Sequence, residues 1–158
     1  MSSFNVLFVC LGNICRSPLA EGVFRQRVEE AGLSENISID SCGTGSWHIG
    51  KPPHRESQKV ALKHGIDISN QRARQLQVGD AQAFHLLVAM DRENREDILA
   101  VCGKDAHVEC LRYYDSDQSA LDVPDPYYGG PEGFQEVFDI IDRCATNLLK
   151  AIQEKQKF

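Results

Sequence analysis

Hydrophobic positions along the chain form short continuous runs that alternate with longer amphipathic stretches. The short runs are typical of strands and lie at residues 4–9, 37–40, 84–90 and 107–111. Helical periodicity is present over residues 19–31, 54–64 and about 131–152, and again after Asp91, which is well placed as an N-cap. Because strand and helix alternate throughout, the pattern predicts a parallel sheet with helices on both faces.

Composition and charge narrow the function classes. The 158 residues are 42% hydrophobic and 25% charged, which predicts one well-filled soluble domain over residues 1–158. A net charge of −6 offers no general attraction to nucleic acid or to an anionic membrane. Any chemistry on phosphate must therefore depend on a local site, and we expect neither a nucleic-acid nor a membrane partner.

The cysteines and the absence of a targeting pattern indicate a cytoplasmic protein. The apolar run at residues 4–9 is too short for a signal-peptide core, and no apolar run approaches the length of a membrane span. The cysteines form no Cys-x-x-Cys pair and show no zinc-ligand spacing; they are Cys10, Cys15, Cys42, Cys102, Cys110 and Cys144. We therefore expect reduced thiols, no structural metal and no cofactor.

The segment after the first strand, CLGNICRSP, has the features of an anion-binding turn. Cys10 closes the strand, residues 11–16 form the turn, Ser17 is expected as the N-cap, and Pro18 suits the first helical position. Ligands of such sheets bind outside the carboxyl ends of the strands. The N–H groups of this turn and the positive end of the helix would surround an oxyanion with a thiol beneath it.

The same surroundings would activate Cys10. Backbone donors, the helix terminus and Arg16 all stabilise a thiolate, which is the nucleophilic form of cysteine. Arg16 lies six residues after Cys10 and could fold back to offer a planar fork to two phosphoryl oxygens. The alternative is a buried strand-end thiol beside a surface cation.

CLGNICRSP resembles the C-x5-R-[ST]-P loop of the low-molecular-weight protein tyrosine phosphatases, and DPYYGG at residues 125–130 resembles their acid loop. Chain length, strand and helix order and the closing helix also match that family. The resemblance implies a single-domain, three-layer α/β/α fold. Its four-stranded parallel sheet would be doubly wound in the flavodoxin-like manner, with the phosphate-binding loop after strand 1.

The resemblance also implies three catalytic roles. Cys10 would attack phosphorus and form a phosphocysteine, and Arg16 would bind the equatorial oxygens of the transition state. Asp125 would protonate the leaving phenolate and later deprotonate the attacking water. Asp125 could instead serve only a turn, and Asp122 is a competing acid that does not align with the family pattern.

Further residues of the loop are expected to bind phosphate or to support it. Gly12 and Cys15 belong to the loop, Ser17 would donate to the thiolate if it is not merely an N-cap, and Asn13 would adopt a left-handed conformation. By resemblance, Ser41 and His64 would hold Asn13, with Glu21 or Asp40 as an acidic neighbour of His64. His64 could equally be a cation at a helix C-terminus.

Apolar and aromatic residues are expected to wall a phosphotyrosine pocket or, alternatively, to be ordinary packing; they are Leu11, Ile14, Trp47, Tyr127 and Tyr128. Ile14 would favour phosphotyrosine over phosphoarginine. Cys15 would either trap an oxidised Cys10 as a disulfide or pack beneath the loop. Asp91 and the stretch NQRARQL are assigned no catalytic role.

The expected substrates are phosphotyrosine-containing proteins or small aryl phosphates, and weak self-association is a further expectation. Two related chemistries compete. An arsenate reductase of the same fold would use a later cysteine pair, for which Cys102 and Cys110 are the candidates. A phosphocarrier would keep its phosphocysteine for transfer, and a non-catalytic phosphotyrosine-binding module would need no acid. Asp125 favours turnover over both of these.

Overall fold

The strand order places the first strand inside the sheet. The computed structural model describes residues 3–127 and 129–158, so Tyr128 lies outside the described residues. Within them, the strands are β1 (Phe4–Cys10), β2 (Ile37–Gly43), β3 (Leu86–Ala89) and β4 (Val108–Cys110). They pair in parallel in the order β2-β1-β3-β4. Because the chain crosses from one side of β1 to the other after β2, the carboxyl end of β1 faces a crevice suited to a ligand.

The helices confirm the predicted α/β alternation. They are α1 (Arg16–Glu30), α2 (Arg55–Lys63), the short α3 (Asp80–Ala83), α4 (Arg92–Cys102) and α5 (Pro131–Gln156), with a 3₁₀ turn at Leu111–Tyr114. The flavodoxin-like, four-stranded parallel arrangement implied by the family resemblance is also confirmed. None of the helices in the described ranges combines the length and apolar character needed to cross a bilayer.

Two apolar cores cover the two faces of the sheet. On one face, Phe8 and Cys10 of β1 pack with α1, α2 and α5. On the other, Leu7 and Val9 pack with Ile98 of α4 and with Cys110. Because side chains alternate along a strand, consecutive residues of β1 serve opposite cores. Cys10 therefore points toward the α1 and α5 layer, and Cys110 lies on the opposite face.

Candidate active site

The connection from β1 to α1 is a tight loop that rests on the end of β2. Residues 11–15, here called the phosphate loop, link Cys10 to Arg16. The N–H groups of Thr44 and Gly45 donate to the carbonyls of Cys10 and Leu11, both at 2.9 Å. A Cβ on Gly43 would lie 2.8 Å from the Leu11 carbonyl oxygen and 3.0 Å from the Asn13 nitrogen. Only glycine at position 43 permits this close approach of the two backbones.

The sulfur of Cys10 lies at the base of this loop and is 3% exposed as a residue. It accepts from the Asn13 N–H at 3.3 Å and lies 3.0 Å from the hydroxyl of Ser17. The prediction of Ser17 as the N-cap is wrong, because α1 begins at Arg16 and Cys15 occupies the cap without a side-chain hydrogen bond. Ser17 is instead inside the first helical turn, where its hydroxyl points at the sulfur, and Pro18 is the third helical residue rather than the first.

Asn13 has the expected left-handed conformation, with φ of 56°. Its side-chain nitrogen donates to Ser17 Oγ at 2.8 Å and to Ser41 Oγ at 3.0 Å. The N–H of Arg74 donates to Asn13 Oδ1 at 3.1 Å. The amide is therefore held from three directions, and the stretch NQRARQL contributes as a loop anchor through Arg74.

A buried carboxylate fixes the direction of these hydrogen bonds. Ser41 Oγ lies 2.6 Å from Glu21 Oε1 and must donate to it, since a carboxylate only accepts. Ser41 therefore accepts from Asn13, whose other N–H is used by Ser17. Ser17 Oγ then has its own proton left for the Cys10 sulfur, at 3.0 Å, which is closer than its other acceptor, the Cys42 carbonyl, at 3.4 Å. This chain of hydrogen bonds from Glu21 through Ser41, Asn13 and Ser17, here called the relay, thus provides the sulfur with a hydrogen-bond donor.

Arg16 is a buried cation tied to two other segments. Its Nη1 donates to Asp91 Oδ2 at 2.7 Å and to the Val123 carbonyl at 2.9 Å. Burial alone would lower the pKa of Arg16, but the charge of Cys10, the hydrogen bond to Asp91 and the charges of Asp91 and Asp125 raise it above its usual value. The guanidinium stays protonated and its orientation is fixed before any ligand binds.

Asp91 performs two tasks, of which the sequence predicted one. Its Oδ1 caps α4 by accepting from the Asn94 N–H at 2.7 Å, as expected. Its Oδ2 holds Arg16, and this second contact was missed. The available signal was the position of Asp91 just after β3, since parallel strands bring their carboxyl ends to the same edge of the sheet as Cys10.

Asp125 lies in the acid segment, defined here as residues 121–127. Its side chain is 44% exposed, and its Oδ2 lies 3.7 Å from Arg16 Nη2. Its Oδ1 accepts from the Tyr127 N–H at 3.1 Å. The competing acid, Asp122, is instead engaged by Arg92 through the N–H at 2.9 Å and Nε at 3.1 Å, and that hydrogen bonding lowers the pKa of Asp122.

These groups meet around a cavity of about 360 Å³; its lining residues are Cys10, Leu11, Gly12, Ile14, Cys15, Arg16, Trp47, His48, Asp125 and Tyr127. The structure thus brings most of the predicted site residues together. His48 was not predicted, and its ring would lie 3.0 Å from a Cβ on Gly12. Trp47 remains 68% exposed and covers Gly45, where a Cβ would overlap its ring.

Comparison with known proteins identifies the family. The model of the low molecular weight phosphotyrosine protein phosphatases matches residues 5–158. The chain belongs to this family. It is 42% identical to the Bacillus subtilis phosphatase YfkJ over 97% of this chain and 98% of that protein, and 40% identical to the human enzyme over 92% and 94%.

Solved structures of the family agree with the fold. The crystal structure of YfkJ superposes with a TM-score of 0.93 at 41% identity, covering 99% of this chain and 98% of that chain. A protein tyrosine phosphatase from Entamoeba histolytica gives 0.92 at 34% identity, covering 99% and 100%. The predicted fold class and enzyme class are therefore confirmed.

One predicted support of this phosphatase lies elsewhere. His64 follows the last turn of α2, is exposed, and stacks on Phe138 with ring centroids 4.1 Å apart. Helix α2 starts beside the phosphate loop, so its length of roughly 14 Å carries His64 away from Asn13. The predicted contact of His64 with Asn13 is wrong. Glu21 supports Ser41, and Asp40 pairs with Arg74 at 3.1 Å.

The remaining thiols of the phosphatase differ from Cys10 in their surroundings. Burial, followed by the nearby charges of Cys10 and Asp125, raises the pKa of Cys15 to about 12, so its thiol stays protonated. Cys110 faces the opposite core from Cys10. Cys102 ends α4, roughly 16 Å from the start of that helix at the active-site edge. Neither residue of the later cysteine pair faces the nucleophile.

Proposed function

We propose that this phosphatase hydrolyses phosphotyrosine monoesters, in proteins or as small aryl phosphates, through a phosphocysteine on Cys10. The observation that carries the proposal is the convergence of three groups on one cavity. These are the Cys10 sulfur with its donors, the fixed guanidinium of Arg16, and the carboxyl of Asp125 at 3.7 Å from that guanidinium. Residues 1–158 act as one catalytic domain in this proposal.

In the first step, the Cys10 thiolate attacks phosphorus as the bond from phosphorus to the phenolic oxygen breaks. Arg16 and the N–H groups of the phosphate loop bind the non-bridging oxygens, where negative charge concentrates. Asp125 enters this step protonated and transfers its proton to the departing phenolic oxygen. The products are a neutral phenol and a phosphocysteine.

In the second step, water attacks the phosphocysteine and the bond from sulfur to phosphorus breaks. Asp125, now a carboxylate, accepts the proton of the water. The departing sulfur is stabilised by the Ser17 hydroxyl and the Asn13 N–H, which already contact it. Inorganic phosphate leaves, and Asp125 and Cys10 return to their starting states.

The positions of the cysteines and of Asp125 do not favour the two competing functions, arsenate reduction and phosphoryl transfer by a phosphocarrier. An arsenate reductase would need Cys102 or Cys110 to reach a bond on Cys10, but these residues lie at the far end of α4 and on the opposite face of the sheet. A phosphocarrier would need no general acid or base, whereas Asp125 lines the cavity.

A substrate survey with two variants tests the proposal. In the presence of a chelator, the wild type should hydrolyse phosphotyrosine and should not reduce arsenate with thioredoxin. Cys10→Ser should abolish turnover while retaining phosphate binding. Asp125→Ala should lose roughly a hundred- to ten-thousandfold on phenyl phosphate and less on esters with good leaving groups. Residual turnover in Cys10→Ser, or an equal loss across leaving groups in Asp125→Ala, would contradict these roles.

We further propose a cytoplasmic location and weak self-association. The six cysteines all lie in the described part of the chain and are free thiols, which suits a reducing compartment. Trp47, which lines the cavity, is 68% exposed, and Ile49, two residues further along the chain, is 56% exposed. Together they offer an apolar contact surface. Sedimentation velocity over a concentration series, with wild type and Trp47→Ser, tests the association.

A further inference from the structure

The imidazole of His54 lies between aromatic rings from two other segments. On one side it stacks on Phe134 of α5, with ring centroids 4.9 Å apart and planes at 27°. On the other it meets Tyr127 of the acid segment in an edge contact, with centroids 5.8 Å apart and planes at 73°. Phe134 is fully buried. The histidine therefore joins a fixed core ring to the ring at the pocket wall.

The position of His54 is also fixed by its backbone and ring nitrogen. Its N–H donates to the Ile14 carbonyl at 2.7 Å, which connects the start of α2 to the phosphate loop. Its Nδ1 accepts from the Glu56 N–H at 3.0 Å and so caps α2. This acceptor role places the ring proton on Nε2 and leaves the ring no freedom to turn.

Tyr127 connects the wall to the general acid. It lines the cavity, and its N–H donates to Asp125 Oδ1. A second imidazole, that of His48, lies on it with centroids 6.2 Å apart. The ring of Tyr127 is thus in contact with rings from residues 48 and 54, both of which come from segments flanking the phosphate loop.

We propose that His54 is a positioning residue that holds Tyr127 as the wall for the substrate ring, and so sets the preference for aromatic phosphomonoesters. The proposal deepens the proposed phosphotyrosine hydrolysis and rests on it. His54 itself does not line the cavity. Its effect is transmitted through the edge contact with Tyr127, so it should act on recognition of the aromatic group rather than on phosphate.

Two substitutions separate the ring of His54 from its capping role. His54→Asn keeps a side-chain acceptor suited to an N-cap but removes the ring. His54→Phe keeps a ring but removes the acceptor. His64→Asn is a matched control, because His64 also stacks an imidazole on a phenylalanine of α5 at the other end of α2.

The readout is the affinity ratio of phenylphosphonate to inorganic phosphate, measured by calorimetry, which needs no turnover. His54→Asn should lower this ratio about three- to tenfold, the worth of one aromatic contact. His54→Phe should keep the ratio within about twofold of wild type while its melting temperature falls. His64→Asn should leave the ratio unchanged. In turnover, His54→Asn should raise KM for phosphotyrosine by the same factor with little change in kcat.

An unchanged ratio in His54→Asn, or an equal loss in His54→Asn and His54→Phe, would overturn the proposal. Failure of the underlying function would look different. The wild type would then not hydrolyse phosphotyrosine, whereas the ratio of the two affinities would still report on the contact of His54 with Tyr127.

Discussion

At the scale of single residues, the environment of the Cys10 sulfur depends on which group donates and which accepts in a few hydrogen bonds. Glu21 is a carboxylate buried beneath the phosphate loop, with Arg25 as its ion-pair partner at 2.8 Å. It can only accept, so each hydroxyl and amide between it and Cys10 has one orientation. Glu21, which is separated from the sulfur by the side chains of Ser41, Asn13 and Ser17, therefore determines whether the sulfur receives a hydrogen bond.

We expect Glu21→Gln to weaken this control. A neutral amide can donate as well as accept, so Ser41 and Ser17 could reverse and the sulfur would lose its donor for part of the time. Departure of the sulfur in the second step should slow, so kcat should fall about tenfold. KM should fall with it, and kcat/KM should change little, because that ratio depends only on the steps up to the phosphocysteine. Rapid-quench measurement should find more phosphocysteine at steady state than in the wild type. Arg25→Gln removes only the partly exposed partner and should change kcat less than about twofold; an unchanged phosphocysteine level in Glu21→Gln would contradict the relay.

We expect Ile14 to determine the preference between phosphotyrosine and phosphoarginine, so that substituting it changes this preference. It is buried and lines the cavity, so a guanidinium placed there would lose water without gaining a hydrogen bond, at a cost of about 1 to 3 kcal/mol. Wild type should therefore prefer phosphotyrosine over phosphoarginine by roughly tenfold to a hundredfold in kcat/KM. Ile14→Thr should shift this preference toward phosphoarginine. Equal efficiencies in the wild type, or no shift in the variant, would show that Ile14 does not select.

At the scale of elements, a buried ionic cluster ties the chain before the acid segment to α5. Asp115 has a fully buried side chain and accepts from Arg112 Nε at 2.9 Å and from Arg143 Nε at 2.7 Å. Arg112 Nη1 donates to the Asp122 carbonyl at 3.1 Å. The acid segment is thus held at residue 122 by Arg112 and at residue 123 by Arg16.

The pKa of Asp115 predicts how stability changes in acid. Burial would raise that pKa, but hydrogen bonds from Arg143, the Asp117 N–H and Arg112 lower it to about 2, against about 3.9 in an unfolded chain. The resulting stabilisation, about 2 to 3 kcal/mol, is present above about pH 4 and is lost as the pH falls through about 2. Urea unfolding of Asp115→Asn at pH 7 should give a loss of about 3 to 5 kcal/mol, because two arginines lose their partner.

The control for this cluster is Asp117→Asn. Asp117 reaches Arg112 only at 3.7 Å and is mostly exposed, so its loss should barely change the free energy of unfolding. If Asp115→Asn were as stable as Asp117→Asn, or if the wild type and Asp115→Asn lost stability equally below pH 4, the cluster would not stabilise the fold in this way.

The elements also show what the sequence could predict. Regular alternation predicted the four strands and the longer helices, and the local spacing in CLGNICRSP predicted an anion-binding turn with Cys10 and Arg16. The left-handed conformation of Asn13 was predicted from the resemblance to the family. Contacts between distant segments were missed, because Asp91 on Arg16 and His48 on the loop depend on how β3 and the chain after β2 fold back. The predicted contact of His64 with Asn13 was wrong for the same reason, because the distance between these residues depends on the direction of α2.

At the scale of the whole molecule, the thiols divide into one reactive site and a protected remainder. Burial raises the pKa of Cys42, Cys110 and Cys144, with Cys144 reaching about 12. Cys102, although half-buried, has its pKa raised by the same cause. Oxidation by peroxide should therefore concentrate on Cys10, which lies in the cavity beside a fixed guanidinium.

We expect peroxide to inactivate the enzyme reversibly through a bond from Cys10 to Cys15. Peroxide would convert the Cys10 thiolate to a sulfenic acid, and the Cys15 thiol would displace its hydroxyl as water to form the disulfide. Mass spectrometry of treated protein should find this bridge, and dithiothreitol should restore activity. Cys15→Ala should instead progress to irreversible loss. Absence of the bridge, or full recovery by Cys15→Ala, would leave Cys15 as a packing residue.

The contact of the phosphate loop with Gly43 has a consequence for the end of the catalytic cycle. Because the phosphate loop packs directly against the end of β2, its N–H groups are already oriented before substrate binds. They keep the same orientation after the ester has been hydrolysed. The free phosphate ion presents to those donors the same oxygens as the substrate did. We therefore expect inorganic phosphate to compete with substrate for the same donors, so that turnover slows as the local concentration of phosphate rises.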